Sequence, residues 1–305
     1  MSLIEKAVQR LEQLQSAQTE AVSTQEGLDP AAAPQEPTKP SVAAPAIRRE
    51  PATRSREVSI DLARLAAMGM VTPDRPRSSI AEEFRVIKRP ILKNISESGP
   101  SNPRLIMVTS SLPGEGKSFT AINLAISIAM ELDHTVLLVD ADVSKPSILK
   151  AMGLKPERGL MDVLSEQNFD LSPSLLRTNI PKLSILPAGM PHERATELLA
   201  SDAMNRLLED MAARYSDRVI IFDSPPLIPT TEARVLAAHM GQIVMVVEAG
   251  RTTNGALRQA LSTVEACPIK LMVLNKARDS GPGGYYGYGY GYGYGHSAEA
   301  AIDAV

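Results

Sequence analysis

Six short runs of aliphatic residues recur between Arg104 and Lys276, and they leave few folds open. They read LIMV (105–108), VLLV (136–139), LSIL (183–186), VIIF (219–222), IVMVV (243–247) and LMVL (271–274). Near-continuous Val, Ile and Leu of this length predicts strands buried on both faces of a sheet. Amphipathic stretches long enough for a helix separate them. Strand, crossover helix and parallel strand repeated in this way predict a doubly wound α/β domain with a mostly parallel sheet. Ligands of such sheets bind beyond the carboxyl ends of the strands, so the chemistry is expected just after them.

The first run leads into Thr109-Ser110-Ser111-Leu112-Pro113-Gly114-Glu115-Gly116-Lys117-Ser118, and a helical AINLAISIAM follows. A Gly-rich loop closed by Lys-Ser between strand and helix has the context of a P-loop, the phosphate cradle of P-loop NTPases. Gly114 and Gly116 let the backbone wrap a phosphate, and the N–H groups from Gly114 and Glu115 through Gly116 to Phe119 can point at it, aided by the helix dipole. Lys117 brings an ammonium to the β- and γ-oxygens of ATP. The Ser118 hydroxyl is a hard-oxygen ligand of the kind Mg²⁺ prefers. Ser111 stands where the motif has its first Gly.

Two more elements supply acids. VLLVDADVSKP places Asp140 and Asp142 just past a strand, and the i, i+2 spacing sends both carboxylates the same way if the backbone stays extended. VIIFDSPP places Asp223 at another strand end, with Pro225 and Pro226 forcing a turn. One Asp after a strand says little, because Asp also caps helices. Three facing one P-loop say much more. Asp140, Asp142 and Asp223 therefore join Lys117 and Ser118 as the candidate site residues around the loop.

The combination of SSLPGEGKS, LLVDADVSKP and IIFDSPP with a terminal tyrosine cluster resembles the bacterial tyrosine kinases. It is most similar to stand-alone autokinases of exopolysaccharide clusters, the exosortase-associated type included. The likeness runs over about residues 79–295, and the MSLIEKAV start shares it. It implies a non-specific protein-tyrosine kinase in which Asp140 and Asp142 serve metal and nucleophile and Asp223 holds the metal through water. It also implies that Asn275, in VLNK (273–276), contacts the adenine. Where the family reads Asp-x-Asp-x-Arg, this chain has Ser144 and then Lys145. A phenol has a pKa of about 10, so its proton must leave during attack. A carboxylate can orient the phenol and accept that proton late. Asp140 is the first choice for this role and Asp142 the second.

The acceptors are expected in GPGGYYGYGYGYGYG (281–295): Tyr285, Tyr286, Tyr288, Tyr290, Tyr292 and Tyr294. Gly alternating with Tyr leaves each phenol sterically free. Ten residues from Asn275 to Tyr285 reach at most about 35 Å, enough for a neighbouring subunit. SIAEEFRVIKRPILK (79–93) predicts a helix that Pro90 must kink or end. On it Glu82, Arg85 and Lys88 form a charged row, and the resemblance implies that this row builds a ring of subunits.

Residues 1–15 show an apolar stripe of Leu3, Ile4, Ala7, Val8, Leu11 and Leu14, predicting an amphipathic helix. Residues 16–57 are rich in Pro, Ala, Glu, Thr and Ser and read as a disordered linker. A kinase domain is expected over 58–280, its core at 104–276, with a flexible Tyr-rich tail over 281–305. The longest uncharged apolar run, Ser118 to Met130, is thirteen residues, short of the roughly 20 that span a bilayer. No secretory h-region opens the chain. A cytoplasmic protein is expected, and the resemblance implies recruitment by the cytoplasmic end of a membrane polysaccharide chain-length (co-polymerase) protein. Lys plus Arg number 32 against 35 acids, which disfavours a nucleic-acid partner. A single Cys excludes a disulfide framework, and four scattered His give no zinc spacing. The competing reading is a switch ATPase of the septum-placement or partition kind. Those carry a Lys where this loop has Leu112, and they lack a tyrosine tail.

Overall fold

The computed structural model describes residues 56–97, 102–166, 171–214 and 217–277. The expected N-terminal helix, the linker up to residue 55 and the tail with its six clustered tyrosines lie outside the described residues. In chain order the elements are β1 (Arg56–Val58), α1 (Leu62–Ala67), α2 (Ser79–Ser96), β2 (Leu105–Ser110), α3 (Lys117–Ala129), β3 (Thr135–Asp140), α4 (Ile148–Ala151) and α5 (Leu160–Ser165). There follow a 3₁₀ turn (Ser172–Ser174), β4 (Leu176–Thr178), β5 (Leu183–Leu186), α6 (Ala195–Leu199), α7 (Asp202–Arg214), β6 (Arg218–Asp223), α8 (Thr231–Ala237), β7 (Gln242–Glu248), α9 (Asn254–Ser262) and β8 (Ile269–Asn275).

All six aliphatic runs are strands, in a sheet ordered β1-β4-β5-β3-β6-β2-β7-β8. Every neighbouring pair is parallel except β4 with β5. The strands β1 and β4 have three residues each and carry Arg56, Glu57 and Arg177, too short and too charged for an aliphatic run to betray them. Strand β1 begins two residues inside the segment expected as linker.

Alternation along the central strands divides the core in two. Met107, Leu137, Val139, Phe222 and Met245 face one layer of helices. Ile106, Val108, Leu138, Ile221 and Val244 face the other, where α3 lies with apolar residues nearly all round because the sheet covers one side and α2 the other. Phe84 of α2 meets Phe119 of α3 edge to face, ring centroids 6.4 Å apart. The lone Cys267 is a buried core residue.

Of the two outcomes expected at Pro90 in α2 the end is excluded, and Lys88 lies elsewhere than expected. The helix runs through Pro90 to Ser96. Pro90 cannot donate to the Val86 carbonyl, but Val86 is 73% exposed, so water can take that place while Ile91 anchors the next turn in the core. Lys88 is not on the solvent-facing row: it is 5% exposed, and its ammonium donates to the Ser127 carbonyl (2.6 Å) and pairs with Glu131 (2.7 Å) at the C-terminal end of α3. A cation there satisfies a terminal carbonyl and the helix dipole together. Of the expected row, Glu82 and Arg85 remain exposed, paired with each other.

Candidate nucleotide-binding site

Strand β2 is buried along its whole length and delivers the chain to the loop at the carboxyl edge of the sheet. The loop turns through Gly114 (φ +86°) and Gly116 (φ +102°), a region that side-chain-bearing residues rarely enter. Any Cβ on Gly116 would lie 2.0 Å from the Asn275 amide nitrogen. Gly116 is the N-cap of α3, and no side chain takes the first N–H groups of that helix. They are left for an anion. Ser111, in place of the first Gly of the motif, is fully buried.

Asp140 ends β3 and Asp223 ends β6, directly opposite each other in register. Asp140 is 1% exposed, Asp223 not at all, and Asp142 8%. One Asp140 oxygen accepts the N–H groups of Ser147 and Ile148, each at 3.0 Å, and the other has no partner. Neither Asp223 oxygen has one. Asp142 accepts the Lys145 N–H (3.2 Å) and lies 3.8 Å from the Lys117 ammonium, itself nearly buried. The Ser118 hydroxyl accepts from that of Ser147 at 2.8 Å.

The electrostatics follow from burial. It pushes Asp223 up to about 8, with the charge of Asp140 adding to the effect. It pushes Asp140 up to about 6 against the opposing hydrogen bonds from Ile148 and Ser147. Asp142 is also raised by burial, with Lys117 pulling it back. Three carboxyl groups with three orphaned oxygens beside one hydroxyl are costly to ionise together, and a hard divalent cation would offset that cost. Among the described residues no three acidic, His or Cys side chains form a complete cage. Mg²⁺ does not require such a group, because it takes one or two carboxylates and completes its shell with phosphate and water.

Other expected residues fall at the site in altered roles. The Glu115 carboxylate is buried, accepting the Leu112 N–H (2.8 Å) and the Thr252 hydroxyl. It braces the loop, leaving only backbone for a ligand. The Phe119 ring points to Phe84, so its share is likewise its N–H. Asn275 donates to the Glu115 carbonyl (2.9 Å), so its amide group lies against the loop. Lys145 is exposed. Sequence reasoning missed Ser147, Thr252 and Lys276. Only Lys276, next to Asn275, carried a signal that could have found it.

A model of the AAA domain matches residues 103–273. The chain is 31% identical over 223 residues to tyrosine-protein kinase YwqD of Bacillus subtilis (strain 168), covering 72% of this chain and 91% of that one. It is 34% identical over 224 residues to succinoglycan biosynthesis transport protein ExoP of Rhizobium meliloti (strain 1021), covering 72% of this chain and 28% of ExoP. The kinase domain of the Escherichia coli tyrosine kinase ETK matches with a TM-score of 0.63 at 26% identity, over 79% of this chain and 89% of that one. At that identity, over 72% of this chain and 91% of YwqD, this chain belongs to the bacterial tyrosine kinase family.

Proposed function

We propose that the chain is an ATP- and Mg²⁺-dependent kinase that phosphorylates the tyrosines at 285–294 of another copy. The observation that carries this is the set of orphaned, buried carboxylate oxygens beside the Lys117 loop, in a chain that also holds six clustered tyrosines. Ser118, Asp140 and Asp223 would hold Mg²⁺, which when bound neutralises phosphate charge. The N–H groups of the loop grip the β-phosphate, and Lys117 balances the charge shared by the β- and γ-oxygens. Phosphoryl transfer is loose, so this positioning and neutralisation do most of the work.

Asp140 is sealed beneath the cluster and pinned by two N–H groups, whereas Asp142 is its most accessible acid. Asp142 is therefore assigned to the incoming phenol and Asp140 to the metal side, reversing their order from sequence. The phenol gives its proton to Asp142 as its oxygen bonds to the γ-phosphorus, and the bond to the β-phosphate oxygen breaks to release ADP.

The reading extends to regulation of exopolysaccharide synthesis or export. It is supported by the name of ExoP, a succinoglycan biosynthesis transport protein in which the matching segment is 28% of the length. The partner proposed is the cytoplasmic end of a membrane co-polymerase, with the kinase held at the inner face of the membrane. Among the described residues no helix is long and apolar enough to cross it.

Lys117→Met supplies the test, as a chain that can accept phosphate without transferring it. Mixed with wild type and Mg-ATP, it should gain phosphotyrosine at 285–294 by mass spectrometry, and alone none. Asp142→Asn as the donor should transfer roughly 100-fold more slowly. Label on Lys117→Met alone at the wild-type rate would refute the assignment.

A further inference from the structure

A loop whose N–H groups converge on a phosphate must turn its carbonyls outward, and those carbonyls need donors of their own. Two come from the end of β8. Asn275 takes the Glu115 carbonyl at 2.9 Å, and the Lys276 ammonium takes the Gly114 carbonyl at 2.7 Å. Lys276 adopts φ +57°, a backbone conformation uncommon for a residue with a side chain. Its ammonium also lies 3.2 Å from Glu248, which is bonded as well by Arg251 at the same distance. Partial burial of Glu248 opposes its charge, but Lys276 and Arg251 together hold its carboxyl below the usual range. Lys276 is thus fixed between a carboxylate on β7 and a carbonyl of the loop.

We propose that Lys276 is a positioning residue for the nucleotide: its ammonium holds the Gly114 carbonyl out of the phosphate cradle and so keeps the N–H groups of the loop aimed inward. The inference rests on the reading of this loop as the ATP site. It adds a residue that never touches the reacting atoms, placed where the chain leaves the sheet for the tyrosine segment. An ammonium-to-carbonyl bond is charge-assisted, stronger than a neutral one, so its loss should be visible in nucleotide affinity.

The experiment compares wild type, Lys276→Met and Lys276→Arg as full chains. It measures the Kd of Mg-ATP by titration and the steady-state kinetics of phosphate transfer to Lys117→Met. For Lys276→Met the Kd and KM for ATP should rise about tenfold while kcat changes less than about threefold. Lys276→Arg, which keeps both donor and charge, should regain most of the affinity. The thermal midpoint of the ligand-free protein should move little in either variant, because Lys276 is about half exposed. Unchanged Kd in Lys276→Met, or a loss of kcat and thermal stability with Kd unaltered, would overturn the proposal. Failure of wild type itself to bind Mg-ATP would instead overturn the ATP reading, and this inference with it.

Discussion

At Asp223 both carboxylate oxygens lie fully buried, and burial together with the charge of Asp140 raises the group to about 8, outweighing the Ser118 hydroxyl and the Lys117 ammonium nearby. An unfolded aspartate titrates near pH 3.9. Between that value and about 8 the folded chain keeps a proton that the unfolded chain releases, so stability falls as pH rises through this window. Asp223→Asn removes the effect. In EDTA and without nucleotide, its thermal midpoint should exceed that of wild type at about pH 8 and nearly match it at about pH 4. A lower midpoint at pH 8 would show that Asp223 stabilises the empty site. Residues of this kind were legible in the sequence, because Lys117, Ser118 and the three aspartates sit in local motifs after apolar strands. Ser147 and Thr252 were not, and Lys276 showed only as the neighbour of Asn275, not in its contact with the loop. Their contacts join positions 29, 137 and 162 residues apart, and no local pattern encodes such a pairing.

The helices α2 and α3 are joined by a clamp that sequence spacing concealed. The 3.6-residue period placed Lys88 on a charged row, but the tertiary need to satisfy the end of α3 drew it inward onto Ser127 and Glu131. Burial raises the Glu131 carboxyl, yet the Lys88 hydrogen bond and the charges of Lys88 and Arg89 outweigh it and leave the group below its usual range. A depressed folded value stabilises above the unfolded pKa, and that contribution is lost as pH falls through the folded value. Glu131→Gln should therefore cost about 1–3 kcal/mol in denaturant unfolding at neutral pH, because a buried ammonium loses its counter-charge. The difference should vanish in acid, below the folded value. An equal loss at both extremes would assign the cost to packing instead. Pro90 makes a related point: of the kink or end read from sequence, the end is excluded, because burial of Ile91 one residue later carries the helix on to Ser96.

Over the whole molecule, the sheet was the most legible feature, because aliphatic runs announce strands wherever burial on both faces is required. Strand order was not, since a crossover of similar length can step to either side. Phosphorylation of the tyrosine segment, on the reading proposed above, would also act as a charge-driven switch. Each phosphotyrosine adds about −1.5 to −2, so six would place roughly −9 to −12 on fifteen residues. Where tails of several copies converge, repulsion at that density should loosen the assembly. Light scattering should show the mass fall on phosphorylation and recover with phosphatase; a constant mass would count against a charge-driven switch. Both this switch and the chemistry rest on magnesium nucleotide seated in the loop at Lys117. Titration calorimetry of the full chain with ATP tests it most directly. The account predicts saturable heat near one nucleotide per chain with Mg²⁺ present, lost in EDTA and lost in Lys117→Met. No heat from wild type, or equal heat from Lys117→Met, would contradict it.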